Sequence, residues 1–573
     1  MTFIKEHELY IENILNQLGY LNENVQILSS SKKEFGDFQI NIAMSLAKKY
    51  HKNPRIIAEE IISLLNDDFI NVNIANPGFI NFSFKEENLL KYLNQGIDNF
   101  DNLIDKHEEK TILLDYGGAN AAKALHVGHM RSANIGEALR RLCNLLGYKT
   151  ISNVHLGDLG RQAGMLISEI RLREPNLVFF DENYDGEWPK VNYTPKDLGE
   201  MYVKANIASR ESETRMNEVR EITAEIDKGN KRYIALWRQL VDISSQVIKE
   251  VYDKLNCKFD LFEGELDSFK DVPAMLNIVK PYLYESEGAL VMDVKEETDT
   301  KEMPPLIVIK KDGATIYATR DLATIYRRRE GFNPDEIWYV VDNRQALYFE
   351  QVFRASYKSG LINKDKKLLH LGFGTINGND GKPYKTRDGG VMELSSLIDL
   401  IANEIEPKIK EEIKEDREDI KNKLTIATLK YADLMSNRIT DYIFDPVKFS
   451  SFDGKTGPYI LYTTVRLKSI LNKEENSNYS ITTISNLEIK NILLKILELP
   501  NVLNRSFNDK SLNYITDFLF ELASLFNKFY NNYHILTESN LEIKNSYLAM
   551  LKLFYNVIHN LLNVLAIDEV ERM

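Results

Sequence analysis

The sequence predicts a multidomain α/β protein: a Rossmann-like, doubly wound parallel-sheet domain at the centre, a small α/β domain before it and an all-α domain after it. Three observations predict this. At 573 residues the chain is longer than one ordinary domain. At its centre, "TILLDY" (111–116) is the short apolar run of a strand covered on both faces. Ile135, Leu139, Leu142 and Leu146 then recur at helical spacing, and "GYKTISNVHLGD" supplies the next strand. Strand–helix–strand in so short a span opens a doubly wound sheet. Beyond Leu394 the pattern turns wholly helical.

The elements follow in order. In residues 1–108, Ile4, Ile11, Ile14, Leu15 and Leu18 mark an opening helix, and "GDFQINIAMSLAKKY" reads as a turn entering a second. Pro54 starts a third helix, and "INVNIANPGFINFSF" alternates as a hairpin turning at Asn-Pro-Gly. The central domain spans 109–394, with a charged, helix-rich insertion over about 166–250. After the insertion, "ALVMDV", "PLIVIK", "EIWYVV" and "LLHLGFGTI" read as further strands alternating with helices. Residues 395–455 form a helical stem or connector, in which "EIEPKIKEEIKEDREDIKNKLTIATLKYADL" reads as a long charged helix leading into an apolar one. "GKTGPYILYTTVRLKSIL" opens the last domain, 456–573, all helical.

Hydrophobic residues at 43% and charged residues at 27% give ample core material for a globular chain. No apolar run nears the roughly 18 residues a spanning helix needs. The opening "MTFIKEHELYIENILNQL" places acidic residues in an amphipathic pattern, unlike a secretory signal, so no membrane association is expected. Cys143 and Cys257 cannot build a disulfide framework or a zinc cluster, which points to a reducing, cytoplasmic setting. The net charge of −13 excludes no partner, because a local basic face suffices for nucleic acid.

"AAKALHVGHMRSANIGEALRRL" (121–142) places His126 and His129 where the first strand turns into a helix. One reading makes them a capping pair or a metal site, since residues three apart share a helical face. The other sets them where free backbone N–H groups and the positive end of the helix collect phosphate. Gly128 favours the second, because it lets a nucleotide approach the backbone with no Cβ in the way.

With "DYGGAN" before it and "MRSANIGEALRR" after it, "HVGH" resembles the His-x-Gly-His signature of class I aminoacyl-tRNA synthetases in its arginyl form. Further pieces match in order: "GDLGRQAG" (157–164), "IYATRDLA" (316–323), "YVVDNRQ" (339–345), "GKPYKTRDGG" (381–390) and "GKTGPYILY" (454–462). The N-terminal "FGDFQIN" and the closing "ERM" also resemble the family, so the likeness spans nearly the whole chain.

The resemblance implies an enzyme that joins L-arginine to ATP, giving arginyl-adenylate and pyrophosphate, and passes the arginyl group to the 3′ end of tRNA(Arg). It implies that His126 and His129 stabilise charge growing on the α-phosphate beside Gly128, with Mg2+ balancing the pyrophosphate. The second lysine motif departs from the family's Lys-Met-Ser-Lys-Ser. Lys382-Pro383-Tyr384-Lys385-Thr386-Arg387 stands there, between glycines that suit either a closing lid or a solvated turn. Arginyl enzymes with this variant resemble one another in keeping a lysine before His-x-Gly-His, here Lys123. The phosphate charge is therefore assigned jointly to Lys123, Lys385, Lys382 and Arg387.

A guanidinium is a planar fork of donors that wants carboxylates and carbonyl oxygens in a fixed plane. In "YATRD", Tyr317 and Asp321 are four apart and share a face if the segment is helical. The resemblance implies that Tyr317, Asp321 and Gln345 contact the arginine side chain, and that Asp115, Gly117 and Asn120 line its other end. The alternative pairs Asp321 with Arg320, Arg327, Arg328 or Arg329. A buried carboxylate left unpaired by a smaller substrate would reject neutral amino acids without editing.

The family's N-terminal domain approaches the tRNA elbow and its C-terminal domain holds the anticodon. This makes Phe38 and Gln39 candidates for a base at the front, against a core Phe38 and a helix-capping Gln39. At the back, Tyr459 and Tyr462 are candidates for stacking, with Arg466 and Lys468 near phosphate, while Leu461 stands where the family often shows glutamine. A monomer is expected. A small-molecule nucleotidyltransferase would not need residues 395–573, and a non-catalytic RNA-binding relative would not keep His126, His129, Lys123 and Asp321.

Overall fold

The computed structural model describes residues 1–573 except 31, 122, 312, 385–391, 413 and 475–478. Thr111–Asp115 (β1), Lys149–Leu156 (β2), Leu261–Gly264 (β3), Glu336–Tyr339 (β4) and Lys367–His370 (β5) form one parallel sheet in the order β5-β4-β1-β2-β3. Ile112, Leu113 and Leu114 are buried, as a strand covered on both faces requires. The chain runs outward from β1 to β3, then returns beyond β1 for β4 and β5, so the order reverses between β1 and β4. Such a reversal leaves a crevice at the carboxyl ends of the strands.

The helices that matter for the site are Val127–Leu145 (α1), Tyr317–Phe332 (α2), Ala346–Lys358 (α3), Arg417–Leu434 (α4), Gly457–Leu471 (α5) and Leu541–Val564 (α6). Helix α1 joins β1 to β2 and lies close on Tyr116: a Cβ at Gly136 would fall 2.1 Å from its ring. The stretch 166–250 is carried by helices Arg161–Arg173, Pro195–Glu211, Glu213–Asp227 and Lys231–Lys254, with a loop over 174–194 that holds one 3-10 turn, Val178–Phe180.

The chain departs from the sequence expectation at several elements. The runs "ALVMDV" and "PLIVIK" are not in the parallel sheet. Ala289–Met292 and Leu306–Ile309 pair antiparallel with each other, and Tyr284–Ser286 completes a separate three-stranded sheet. Its strand Leu306–Ile309 buries alternate residues where β1 is buried without a break from Ile112 to Asp115, a difference that two short apolar runs do not reveal. Strand β3 was not expected, because Glu263 and Gly264 interrupt its apolar pattern. The charged stretch after Glu404 is not one helix. Leu394–Ile405 ends at a 3-10 turn holding Pro407, and α4 starts afresh at Arg417. Beyond Leu394 a two-residue strand, Tyr442–Ile443, pairs with Ile376–Asn377, so that region is not wholly helical.

In the N-terminal domain, Ile27–Ser29, Phe38–Ile40, Phe79–Phe84 and Phe69–Ala75 form an antiparallel sheet in that order, backed by helices that include Phe3–Gln17 and Pro54–Ile62. "INVNIANPGFINFSF" is the expected hairpin, whereas "FQI" is a strand and not part of a turn. This domain rests on the C-terminal helices. Asn94 exchanges hydrogen bonds with the backbone of Ile481 (2.9 and 2.8 Å), and Asn556 on α6 donates to the Ile97 carbonyl (2.6 Å).

Candidate active site

His126 is the N-cap of α1, in extended backbone (φ −117°, ψ 170°). Its Nδ1 accepts the Gly128 N–H (3.1 Å), and the His129 Nδ1 accepts the His126 N–H (2.9 Å). The rings stack with centroids 3.8 Å apart. A nitrogen that accepts from a backbone N–H carries no proton, so each neutral ring holds its hydrogen on Nε2. Burial lowers the pKa of both rings. His129 is pushed down to about 3, with His126 beside it adding to the effect. The pair is thus a capping pair that also offers two neutral N–H donors at the positive end of a 19-residue helix. Gly128 fits between them; a Cβ there would meet the His126 ring at 3.0 Å.

The segment carrying the histidines is tied by its backbone to the chain beyond the lysine loop. The Val127 N–H donates to the Met392 carbonyl (3.3 Å) and the Leu394 N–H to the Leu125 carbonyl (2.8 Å). Lys385 and Arg387 lie outside the described residues. Lys382 is exposed, on a turn fixed by the Asp380 carboxylate. Lys123 is also exposed, its Nζ 5.9 Å from the Tyr202 ring of the helical insertion.

At the crevice between β1 and β4 lies a cavity of about 460 Å³. It brings together Asp115, Asn120, Tyr317, Asp321 and Gln345. Tyr317 and Asp321 are both on α2, in its first turns, as their spacing predicts. Gly117 does not line the cavity. It sits beneath at φ +69°, its N–H donating to Ser132 and its carbonyl accepting from Tyr252. A side chain there would press on Phe259 and Tyr252, so the need for glycine is conformational.

The sequence reading missed His155, Glu265, Tyr339 and Tyr348, all of which face the cavity. His155 lies in β2 near its carboxyl end, and Glu265 just beyond β3. The rule that ligands bind at strand ends could have found His155, but finding Glu265 required seeing β3 first.

The arginines around the cavity are all committed to other carboxylates. Arg328 Nη2 meets Asp115 Oδ2 at 2.5 Å and Arg320 Nη1 meets Glu265 Oε2 at 2.6 Å. Arg327 is held by Glu263 and Asp271, and Arg329 by Glu330. None of these arginines pairs with Asp321, which takes a hydrogen bond from the Tyr348 hydroxyl instead. Among the described residues Asp321 forms no ion pair with lysine or arginine. Burial raises its pKa, with nearby His155, the Tyr348 hydrogen bond and Arg328 acting against the rise, and burial raises Glu265 to about 8. Arg344, which also lines the cavity, is held by Asp342, so Asp321 is the carboxylate of the lining left without a cationic partner among the described residues.

The nucleic-acid candidates divide. Phe38 is 3% exposed and packs on Phe84 (5.2 Å), so it belongs to the core and offers no stacking face. Gln39 is half-buried and donates to Asn41, which is itself the helix cap. Tyr459 is half-buried, its hydroxyl accepting from Asn527 (2.9 Å). Tyr462 and Arg466 stack, with the guanidinium 4.2 Å from the ring, and line a cavity of about 680 Å³ with Lys410, Tyr530, His534 and Met573. Lys468 is not free for phosphate; Glu569 and Glu571 hold it at 2.7 and 2.8 Å.

Comparison with known proteins agrees with this layout. Residues 5–84 match the family described as "Arginyl tRNA synthetase N terminal domain", 94–446 "tRNA synthetases class I (R), catalytic domain" and 460–573 "DALR anticodon binding domain". An arginine–tRNA ligase of Alkaliphilus oremlandii is 42% identical over all of this chain and 99% of its own. One from Agathobacter rectalis is 40% identical over 97% of each. The fold is shared with arginyl-tRNA synthetase structures from Plasmodium falciparum (TM-score 0.83, 23% identity) and Thermus thermophilus (TM-score 0.82, 19% identity), each matched over 100% of both chains.

Proposed function

The chain belongs to the arginyl-tRNA synthetases of class I, and on that premise we propose which of its residues carry the reaction. It is an ATP-dependent arginine–tRNA ligase: L-arginine and ATP give arginyl-adenylate and pyrophosphate, and the arginyl group passes to the 3′ end of tRNA(Arg).

Arginine lies in the crevice cavity with its guanidinium on Asp321, under Tyr317. Gln345 lies beside the side chain, and the amino and carboxylate end faces Asp115 and Asn120. The observation that carries this is the carboxylate left without a cation. A guanidinium supplies the missing charge in planar form, whereas a neutral side chain leaves Asp321 buried and unpaired.

The Nε2–H groups of His126 and His129 donate to the α-phosphate as negative charge grows on it. Because the rings are already neutral and fixed by backbone N–H groups, nothing need reorganise during the step. Lys123 and Lys382, with Lys385 and Arg387, surround the remaining phosphates. Mg2+ bound to the triphosphate would offset part of its charge beside these cations.

Tyr462, Arg466 and Tyr459 face the anticodon, and Gln39 the tRNA elbow. The enzyme works as a cytoplasmic monomer, where its tRNA substrate is.

Asp321→Asn tests the reading. The KM for arginine should rise about 10- to 100-fold, the worth of a hydrogen bond to a charged group, while the KM for ATP stays within twofold. Equal KM values for arginine in the two enzymes would move the guanidinium elsewhere.

A further inference from the structure

We propose that Tyr348 is a positioning residue for the arginine side chain, its hydroxyl holding the plane of the Asp321 carboxylate against the guanidinium. The proposal rests on the reading of Asp321 given above. The Asp321 carboxylate turns about a broad, nearly two-fold torsion, so its plane is not set by its own rotamer. A planar fork of N–H donors is satisfied only by a carboxylate held in its plane. Tyr348, on α3, reaches Asp321, on α2, and spends one lone pair of Oδ2. Oδ1 and the remaining Oδ2 lone pair stay open to the cavity that both residues line. The phenol ring is itself braced, edge-on to Phe349 with centroids 5.6 Å apart.

Among the described residues Tyr348 is the side chain that hydrogen-bonds Asp321. The titratable and charged groups around Asp321 are Asp115 from β1, His155 from β2, Glu265 beyond β3 with Arg320 behind it, Tyr339 from β4, Arg344 held by Asp342, and Tyr317 and Arg328 on its own helix. Arg328 is committed to Asp115 and Arg320 to Glu265. Burial and the facing carboxylates push the Tyr348 hydroxyl up, so it stays protonated and remains a donor. Its hydrogen bond also opposes the upward push of burial on Asp321. Losing the hydroxyl therefore raises the pH at which Asp321 ionises, and with it the pH below which arginine binding weakens.

Tyr348→Phe keeps the ring and removes only the donor. In steady-state aminoacylation across pH, the arginine KM should rise about fivefold to tenfold, with kcat and the KM for ATP within twofold. The acid limb of the arginine KM should move to higher pH. Asp321→Asn, run beside it, should raise the KM and abolish that limb. If Asp321→Asn leaves the arginine KM unchanged, the cavity reading fails and the Tyr348 role falls with it. If Asp321→Asn behaves as stated while Tyr348→Phe shifts neither KM nor limb, the cavity reading stands and Tyr348 positions nothing. A Tyr348→Phe enzyme that loses kcat alone also overturns the proposal.

Discussion

His126 and His129 each spend Nδ1 on the helix they begin and leave Nε2–H out of that cap, so in the reading proposed above capping and catalysis are two uses of one geometry. His126→Ala removes a preorganised donor and should slow arginine-dependent ATP–pyrophosphate exchange, measured with tRNA present, by about 100-fold or more. Burial lowers both pKa values, and His129, pushed down to about 3, stays neutral through the working range. The wild-type exchange rate should show no inflection from His129 between about pH 6 and 8. An inflection there that disappears in both alanine variants would mean the rings act as cations. At this scale the sequence showed what repeats along one element: the histidines three apart and Tyr317 and Asp321 four apart. It did not show Tyr348, His155 or Glu265, because they reach Asp321's cavity from three other elements, and that meeting is set by strand order rather than spacing.

Among the elements, α1 is fixed to the stem helix α4 by a buried pair: Arg131 Nε lies 3.3 Å from Asp433 Oδ1, with both side chains at or below 1% exposure. The same guanidinium donates to the carbonyls of Thr375, Arg438 and Thr440, and the Ile376 carbonyl next in line receives the Tyr384 N–H at the base of the lysine loop. Asp433→Ala leaves a buried guanidinium with no counter-charge. It should destabilise the protein by about 3–5 kcal/mol in denaturant titration. The KM for ATP should rise with it, because the loop base shares the same anchor. A loss below about 1 kcal/mol would show that the carbonyls alone hold Arg131. Long periodic elements such as α1 were legible because their apolar spacing is local. "ALVMDV" and "TILLDY" look alike as strings yet join different sheets, since strand direction depends on partners far away in sequence. Within the charged stretch 404–434, Pro407 was the available stop signal that the long-helix reading passed over.

In the whole molecule, Arg141, near the end of α1, is one of the places where the domains meet. Its Nε pairs with Glu137 (2.6 Å), Nη2 reaches the carbonyl and side chain of Asn256 beyond the insertion's last helix (3.0 and 2.9 Å), and Nη1 reaches both oxygens of Asn563 on α6 (3.1 and 2.8 Å). Glu137 is fully buried and also accepts from Tyr116, the residue after Asp115 in the cavity wall. One guanidinium therefore fastens the catalytic sheet, the insertion and the helical domain together. Interfaces of this kind within a chain are otherwise modest, and the default for such domains is independent motion. Arg141→Ala leaves Glu137 with Arg140 and Tyr116 and removes every side-chain bond that Arg141 makes to Asn256 and Asn563. The expected loss is about 2–4 kcal/mol. Its calorimetric signature should be separation of the catalytic and helical domains into distinct melting transitions, where the wild type melts more cooperatively. Arginine KM should change less than tRNA KM, because the sheet keeps its own cavity while the helical domain loses its fixed angle. A variant that melts in one transition at the wild-type temperature would show that the domains are held by their other contacts, and that Arg141 only fills a gap between them.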